Sequence, residues 1–404
     1  MKQSGGIYGE FCARLEKACC SIGMHERKTE WRLCCALAEK VCCGLSGREG
    51  AERKRILPKI SVLMAVYRPN RDWLEQQLVS ISNQTLPEIE LLIRDDCPQE
   101  PVGEQVFEPL KKRMPVHYRI NEKNRGPGIT FALLVEETQS DYIAFCDQDD
   151  IWMPEKLEML LEELERNKAA ACYCDLSVID AQGNQIASDV RQVRTGDVFL
   201  EGKNLAKKLF VKNCIYGCSM LMPTILAKQA LPLPEGMGHD HWFSLWAASK
   251  GEIIHLKRPL VRYRLHGNNQ SNTLSRIHTK KDYLEQRIMR LQRQTKQCME
   301  RFEDNPDLES YIFEIEKWTI ARQQWFCGKG DALPALWKGR NFSKKAVWFE
   351  LAVARMPEPI LPSVATASCS PRTRTPLWLR SYTCTSTVAP AWMTPSKTGS
   401  TAWW

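Results

Sequence analysis

Three carboxylates, Asp147, Asp149 and Asp150, stand directly after the apolar run Tyr142 to Cys146. Asp147 and Asp149, one residue apart, can aim two carboxylates at one hard cation, and such a cation could hold a diphosphate. A calcium loop of the EF-hand type is excluded. Its sixth position, counted from Asp147, needs glycine and is Trp152, and its twelfth, Glu158, falls in a predicted helix. An isolated Asp-x-Asp is more often a turn or a helix cap than a ligand, so its surroundings decide how it reads. A second acidic pair, Asp95 and Asp96, follows the apolar run Ile89 to Ile93. Further polar clusters are Gly238-His239-Asp240-His241-Trp242, which heads a predicted helix reaching Ser249, and Tyr263-Arg264-Leu265-His266.

The elements that must carry these groups are legible in the hydrophobic periodicity. Ile60 to Val66 is a run of the kind buried in a sheet. Asn70 can cap a helix in which Trp73, Leu74, Gln77, Leu78 and Ile81 recur at three-to-four spacing, closed by Leu86-Pro87. Ile89 to Ile93, the alternating Val116, Tyr118 and Ile120, and Tyr142 to Cys146 give three more strands, and Asn124-Arg-Gly-Pro-Gly128 opens a helix through Leu134. Strands and helices alternating in units of about 30 residues indicate right-handed βαβ units and a parallel sheet, which binds ligands beyond the carboxyl ends of its strands. Asp95, Asp96, Asp147 and Asp149 are therefore expected on one rim.

Pro154 suits a first helical position ahead of Leu157, Leu160, Leu161 and Leu164. Ala170 to Ile179 predicts a strand, Asp180 to Asn184 a hairpin turn, and Asn213 to Met222 another strand, whose Gly217 offers either a close backbone approach or a bulge. Two short strands are expected after Ser249. Residues 276–358, rich in Arg, Lys, Gln, Leu and Trp at helical spacing, predict an α-helical appendage whose aromatics read as packing residues. In residues 1–56, Phe11, Leu15, Trp31, Leu33, Leu37 and Val41 suit amphipathic helices before the charged run Arg48 to Arg55, read as a solvated linker. From Pro359 onward there is no Asp or Glu, and residues 359–404 read as a low-complexity tail, disordered or translated out of frame.

At 404 residues and 43% hydrophobic content the chain can bury a sizeable core. A net charge of +8 admits an anionic substrate or a membrane surface, but no nucleic-acid signature accompanies it. Seventeen cysteines form an odd set, and the N-terminal residues lack a continuous apolar signal core, so reduced thiols in the cytoplasm are expected. The adjacent pairs Cys19-Cys20, Cys34-Cys35 and Cys42-Cys43 lack the spacing of a zinc site. No run approaches the roughly 18 apolar residues of a membrane span, so any membrane contact should be peripheral, at the inner face.

Taken in order, several motifs resemble those of glycosyltransferase family 2, whose nucleotide-sugar-binding α/β fold is called GT-A. They are Ile60-Ser-Val-Leu-Met-Ala-Val-Tyr67, Gln84-Thr85, Arg94-Asp95-Asp96, Asn124-x-Gly126, Phe145-Cys-Asp-Gln-Asp-Asp-Ile-Trp152 with Pro154-Glu-Lys-Leu157, His239-Asp240-x-Trp242 and Tyr263-Arg-x-His266-x-x-Asn269. The resemblance covers residues 57–275 and leans toward the rhamnosyltransferase-like branch that builds bacterial surface polysaccharides. Cys97-Pro98 stand where the family commonly has Gly-Ser. The resemblance implies a mostly parallel, Rossmann-like sheet flanked by helices, with the helical appendage following it. It also implies an inverting transfer of sugar, rhamnose from dTDP-rhamnose or another sugar from a UDP donor, to a saccharide or lipid-linked acceptor. Tyr67, Asp95, Asp96, Asn124, Gly126, Asp147 and His266 would meet the donor, with Asp95 or Asp96 on the base and ribose. Asp147, Asp149 and His266 would hold Mg²⁺ or Mn²⁺, and Asp240 would be the catalytic base.

Two other enzyme classes explain less. A nucleotidyltransferase commonly brings a glycine-rich phosphate loop after the first strand, where this chain has Tyr67-Arg-Pro-Asn70. A His-Asp phosphohydrolase would need a mainly helical fold and further histidine ligands. A degenerate, non-catalytic nucleotide-sugar-binding module would not need all the motifs together.

Overall fold

The structure, a computed structural model, describes residues 59–194, 196–266, 277 and 279–354. The expected amphipathic helices of residues 1–56, the 359–404 tail, and Asn268 and Asn269 of the last motif lie outside the described residues. Ile60–Val66 (β1), Ile89–Asp95 (β2), Val116–Ile120 (β3) and Tyr142–Cys146 (β4) pair in parallel in the order β3-β2-β1-β4. Ile151–Trp152 (β5), Ala171–Ile179 (β6), Gln185–Ala187 (β7), Met220–Pro223 (β8) and Ile253–Arg264 (β9) complete one nine-stranded sheet. β8 runs antiparallel to both β4 and β6, β9 runs parallel to β6, and β5 runs antiparallel to β9. The α/β fold is therefore the expected one, but the sheet is mixed rather than mostly parallel. The direction of a four-residue strand such as β8 leaves no trace in its sequence.

Each strand divides its side chains between the two faces because successive residues point to opposite sides. On β1, Ile60, Val62, Met64 and Val66 join Leu74, Leu78 and Ile81 of helix α1 (Arg71–Ser82), while Leu63 joins Phe131, Leu134 and Val135 of α2 (Gly126–Glu137). Helix α3 (Lys156–Asn167) buries Leu157, Leu160, Leu161 and Leu164 on the α1 side. Each such leucine contributes about 1.5–3 kcal/mol. Helix α4 (His239–Lys250) buries Trp242, Phe243, Leu245 and Trp246 on the α2 side. Asn70 caps α1 as its sequence predicts, accepting from the backbone N–H groups of Asp72 and Trp73 at 3.0 and 3.2 Å.

Two expectations need correction. Asn213 to Met222 is not one strand: Gly217–Ser219 is a 3₁₀ turn, and only Met220–Pro223 is extended, because the polar Asn213 and small Gly217 serve the turn. The two short strands after Ser249 are one, β9, whose register against β6 shifts near Pro259 instead of breaking. The hairpin at Asp180 to Asn184 is present, joining β6 to β7.

Arg290–Arg301 (α5), Pro306–Phe326 (α6), Leu333–Lys338 (α7) and Arg340–Val353 (α8) pack on the α2 and α4 face. Cys298, Phe302, Ile312 and Trp318 join the same apolar core as Leu63 and Trp242. A buried ion pair ties α6 to α8: Arg322 Nε lies 2.9 and 3.0 Å from the two carboxylate oxygens of Glu350.

Candidate active site

Because β1, β2 and β4 are parallel, the residues that follow them meet at one rim. Gln148 fastens that rim, since its side-chain amide exchanges two hydrogen bonds with the backbone of Tyr67, at 2.8 and 3.1 Å. Tyr67 is half-buried beside it.

Asp95 and Asp96 are fully buried, and their carboxylates hold loops. Asp95 accepts from the N–H groups of Cys97 and Val102 and from the Tyr118 hydroxyl. Asp96 accepts from Asn121 Nδ2 and from the N–H groups of Arg125 and Gly126 at the start of α2, so it neutralises donors that a helix N-terminus leaves unpaired. Gly126 has φ +77°, a conformation that glycine adopts without strain, and Asn124 is exposed at the same turn.

The loop after β4 carries the acidic centre. His266, just past the end of β9, places Nε2 2.7 Å from Asp149 Oδ2, and its ring packs 4.8 Å from that of Trp73. Arg264 pins the loop by donating its backbone N–H to Asp150 Oδ1 and its Nε to the Asp149 carbonyl. Ligating atoms of Asp147, Asp150 and Cys218 lie within 4.8 Å of one another, and Asp150 Oδ2 is buried without a hydrogen-bond partner. Burial, then the neighbouring carboxylates of Asp149 and Asp240, push Asp147 up to about 7. Burial, followed by Asp149 and Asp147, also holds Asp150 well above the usual carboxylate range. Lys156 opposes the repulsion from beneath. It is wholly buried, donates to the Cys218 carbonyl at 2.6 Å and is itself lowered to about 8 by burial. The orphaned Asp150 oxygen and the crowded carboxylates fit a hard divalent cation such as Mg²⁺ or Mn²⁺; among the described residues the compact cluster is Asp147, Asp150 and Cys218, and the Asp149–His266 pair stands outside it.

Asp240 faces the same centre from α4. Gly238, not Asp240, is the N-cap of this helix. Asp240 Oδ1 accepts the His241 N–H at 2.7 Å and Oδ2 accepts Asn213 Nδ2 at 3.0 Å, so the carboxylate is oriented and still has lone pairs to spare. Gly217 permits the approach: a Cβ there would lie 2.8 Å from His239 Nε2 and 3.4 Å from the Asp240 Cβ. This decides the sequence alternatives for Gly217 in favour of a close backbone contact.

The structure thus joins Asp149 to His266, and brings Asp147 and Asp240 into electrostatic contact. Asp95 and Asp96 stay behind the loops that they anchor. Cys218, Lys156 and the pinning role of Arg264 escaped the sequence reading. Lys156 left a signal: it stands four residues before Leu160, on the apolar stripe of α3, where a solvated lysine would not be expected.

Residues 61–228 match the family described as Glycosyl transferase family 2. The chain is 27% identical over 249 residues to the "Putative teichuronic acid biosynthesis glycosyltransferase TuaG" of Bacillus subtilis (strain 168), covering 58% of this chain and 90% of that protein. It is 28% identical over 218 residues to an uncharacterized glycosyltransferase of Rickettsia bellii (strain RML369-C), covering 52% of this chain and 29% of that protein. The chain spans about a third of the length of that relative and of the corresponding Rickettsia felis protein, where the share is 34%. The crystal structure of S. aureus TarS 1-349 in complex with UDP-GlcNAc is 17% identical, with a TM-score of 0.47, over 69% of this chain and 81% of that one.

Proposed function

On the match of residues 61–228 to glycosyl transferase family 2, we propose that the chain is an inverting glycosyltransferase of that family. It moves a sugar from a nucleotide-diphosphate donor to a hydroxyl of a saccharide or lipid-linked acceptor in the synthesis of a bacterial surface polysaccharide. The observation that supports this reading is the acidic loop after β4, where His266 Nε2 lies 2.7 Å from Asp149 Oδ2 and the charges of Asp149 and Asp240 act on Asp147. The likeness to a relative named for teichuronic acid biosynthesis supports the polysaccharide context. The resemblance of Asp147-Gln-Asp-Asp-x-Trp152 and Tyr263-Arg-x-His266-x-x-Asn269 to the rhamnosyltransferase-like branch favours dTDP-rhamnose, with UDP-sugars as the alternative donors.

In this reading Tyr67, Asn124 and Gly126 meet the donor, and Asp95 and Asp96 act by anchoring loop 97–102 and the start of α2. Asp147, Asp149 and His266 would hold Mg²⁺ or Mn²⁺, which would offset charge on the departing diphosphate. Asp240 takes the proton of the acceptor hydroxyl as its oxygen bonds to the anomeric carbon. The bond from that carbon to the diphosphate breaks, and its electron pair leaves with the nucleoside diphosphate.

Incubating the full chain with dTDP-rhamnose and with UDP-sugars, with and without Mn²⁺, tests the assignment. Metal-dependent release of nucleoside diphosphate is expected. Release of pyrophosphate would instead mark a nucleotidyltransferase, and binding without release a non-catalytic module.

A further inference from the structure

The C-terminal helices present a surface that the core does not use. Leu333 and Trp337 lie about one turn apart on α7, on one side of the helix. The Trp337 ring meets that of Trp348 on α8 edge-on at 5.2 Å. All three residues are exposed, by 41%, 37% and 54%. The expectation that the aromatics of this region are packing residues holds for Trp318, Trp325 and Phe349, which are buried, and fails for this pair.

The charges around the pair are one-sided. From Leu333 to Trp348 there is no Asp or Glu, while Lys338, Arg340, Lys344 and Lys345 are all exposed. Lys344 and Lys345 precede Trp348 by four and three residues and so share its face of α8. The Arg340 guanidinium lies 4.9 Å from the Trp337 ring. Indole rings fringed by amines match the boundary of an anionic bilayer, where the rings enter the headgroup region and the cations meet lipid phosphates. Among the described residues no helix is long and apolar enough to cross a membrane, so contact through this face would be along the surface.

We propose that the face formed by Leu333, Trp337 and Trp348, with its surrounding basic residues, docks the protein onto an anionic lipid bilayer. A protein partner covering the tryptophans would have to match four like charges one by one, whereas the negative potential of a bilayer meets them all at once. The face contains none of the carboxylates of the active site, so the proposal is independent of glycosyl transfer.

Co-sedimentation of the full chain with vesicles of phosphatidylcholine alone, or with about one third phosphatidylglycerol, tests this. Binding to the anionic vesicles alone is expected, weakening as salt rises. The variants Trp337→Ser/Trp348→Ser and Lys344→Glu/Lys345→Glu should each lower the partition coefficient about tenfold or more. Both should keep the parent melting temperature and donor binding. Variants that bind vesicles as the parent does would overturn the proposal, as would equal binding to both vesicle types. A dimer that the variants abolish would assign the face to a second copy of the chain.

Discussion

His266 Nε2 lies 2.7 Å from Asp149 Oδ2, joining two positions 117 residues apart in the chain. The contact exists because β9 returns alongside β6 and Arg264, two residues before His266, is pinned to the Asp149 and Asp150 backbone and side chain. In the proposed function this carboxylate and imidazole contribute to the cation site. Asp149→Ala should therefore abolish metal-dependent donor binding in calorimetry with donor and Mn²⁺ and leave the fold intact. Unchanged metal-dependent affinity would remove Asp149 from the site.

Asp147, raised to about 7 mainly by burial, ties the site to pH. A cation binds the deprotonated carboxylate, so Mn²⁺ affinity should fall as pH drops below about 7. The folded pKa lies above the unfolded one, so between the ordinary carboxylate range and about 7 the folded state holds a proton that the unfolded state has lost. Stability of the cation-free protein should consequently decline as pH rises through that window, and Asp147→Asn should flatten the decline. Melting curves for both proteins that stay parallel across the window would contradict this.

Lys156 opposes the rise of Asp147. Lys156→Met should push the carboxyl higher, moving the pH midpoint of Mn²⁺ binding upward. The same midpoint in variant and parent would show that the buried ammonium does not act on the site.

Gly217→Ala places a Cβ 2.8 Å from His239 Nε2, and that ring cannot simply withdraw because it is stacked 3.9 Å from the Phe131 ring. A loss of about 1–3 kcal/mol is expected from such overpacking, measurable by denaturant unfolding. Turnover should fall more than donor affinity because Asp240 must shift. An alanine variant with parental stability and turnover would show that the turn yields freely.

In the C-terminal helices, Arg322→Ala would leave Glu350, which is 0% exposed, without its cation. The expected cost is about 3–5 kcal/mol, with most of it recovered in Arg322→Met/Glu350→Met. A single variant within experimental error of the parent would contradict the role of the pair.

What the sequence disclosed followed from burial pattern. β1, β2 and β4 are apolar runs and α1 carries its cap and stripe, so the acidic rim is legible in the sequence. Strand direction and continuity were less legible: β8 is four residues long, and Lys257-Arg258-Pro259 interrupts the apolar pattern of β9 without ending its pairing. The fate of Asp95 and Asp96 was hidden because their partners are mainly backbone N–H groups, which any residue type supplies. Cys218 depends on a turn that folds back 62 residues after Lys156, a distance no local spacing records.

Asp240→Asn tests the central claim most directly. Asparagine keeps the size of the side chain and can still accept the His241 N–H, so stability and donor affinity should match the parent. An amide cannot take the acceptor's proton, and transfer should fall by roughly 10²–10⁴ when measured with a well-matched acceptor. Transfer at near the parental rate would contradict the account and leave Asp240 as a helix-end residue, with the base to be sought at Asp175 or Asp180.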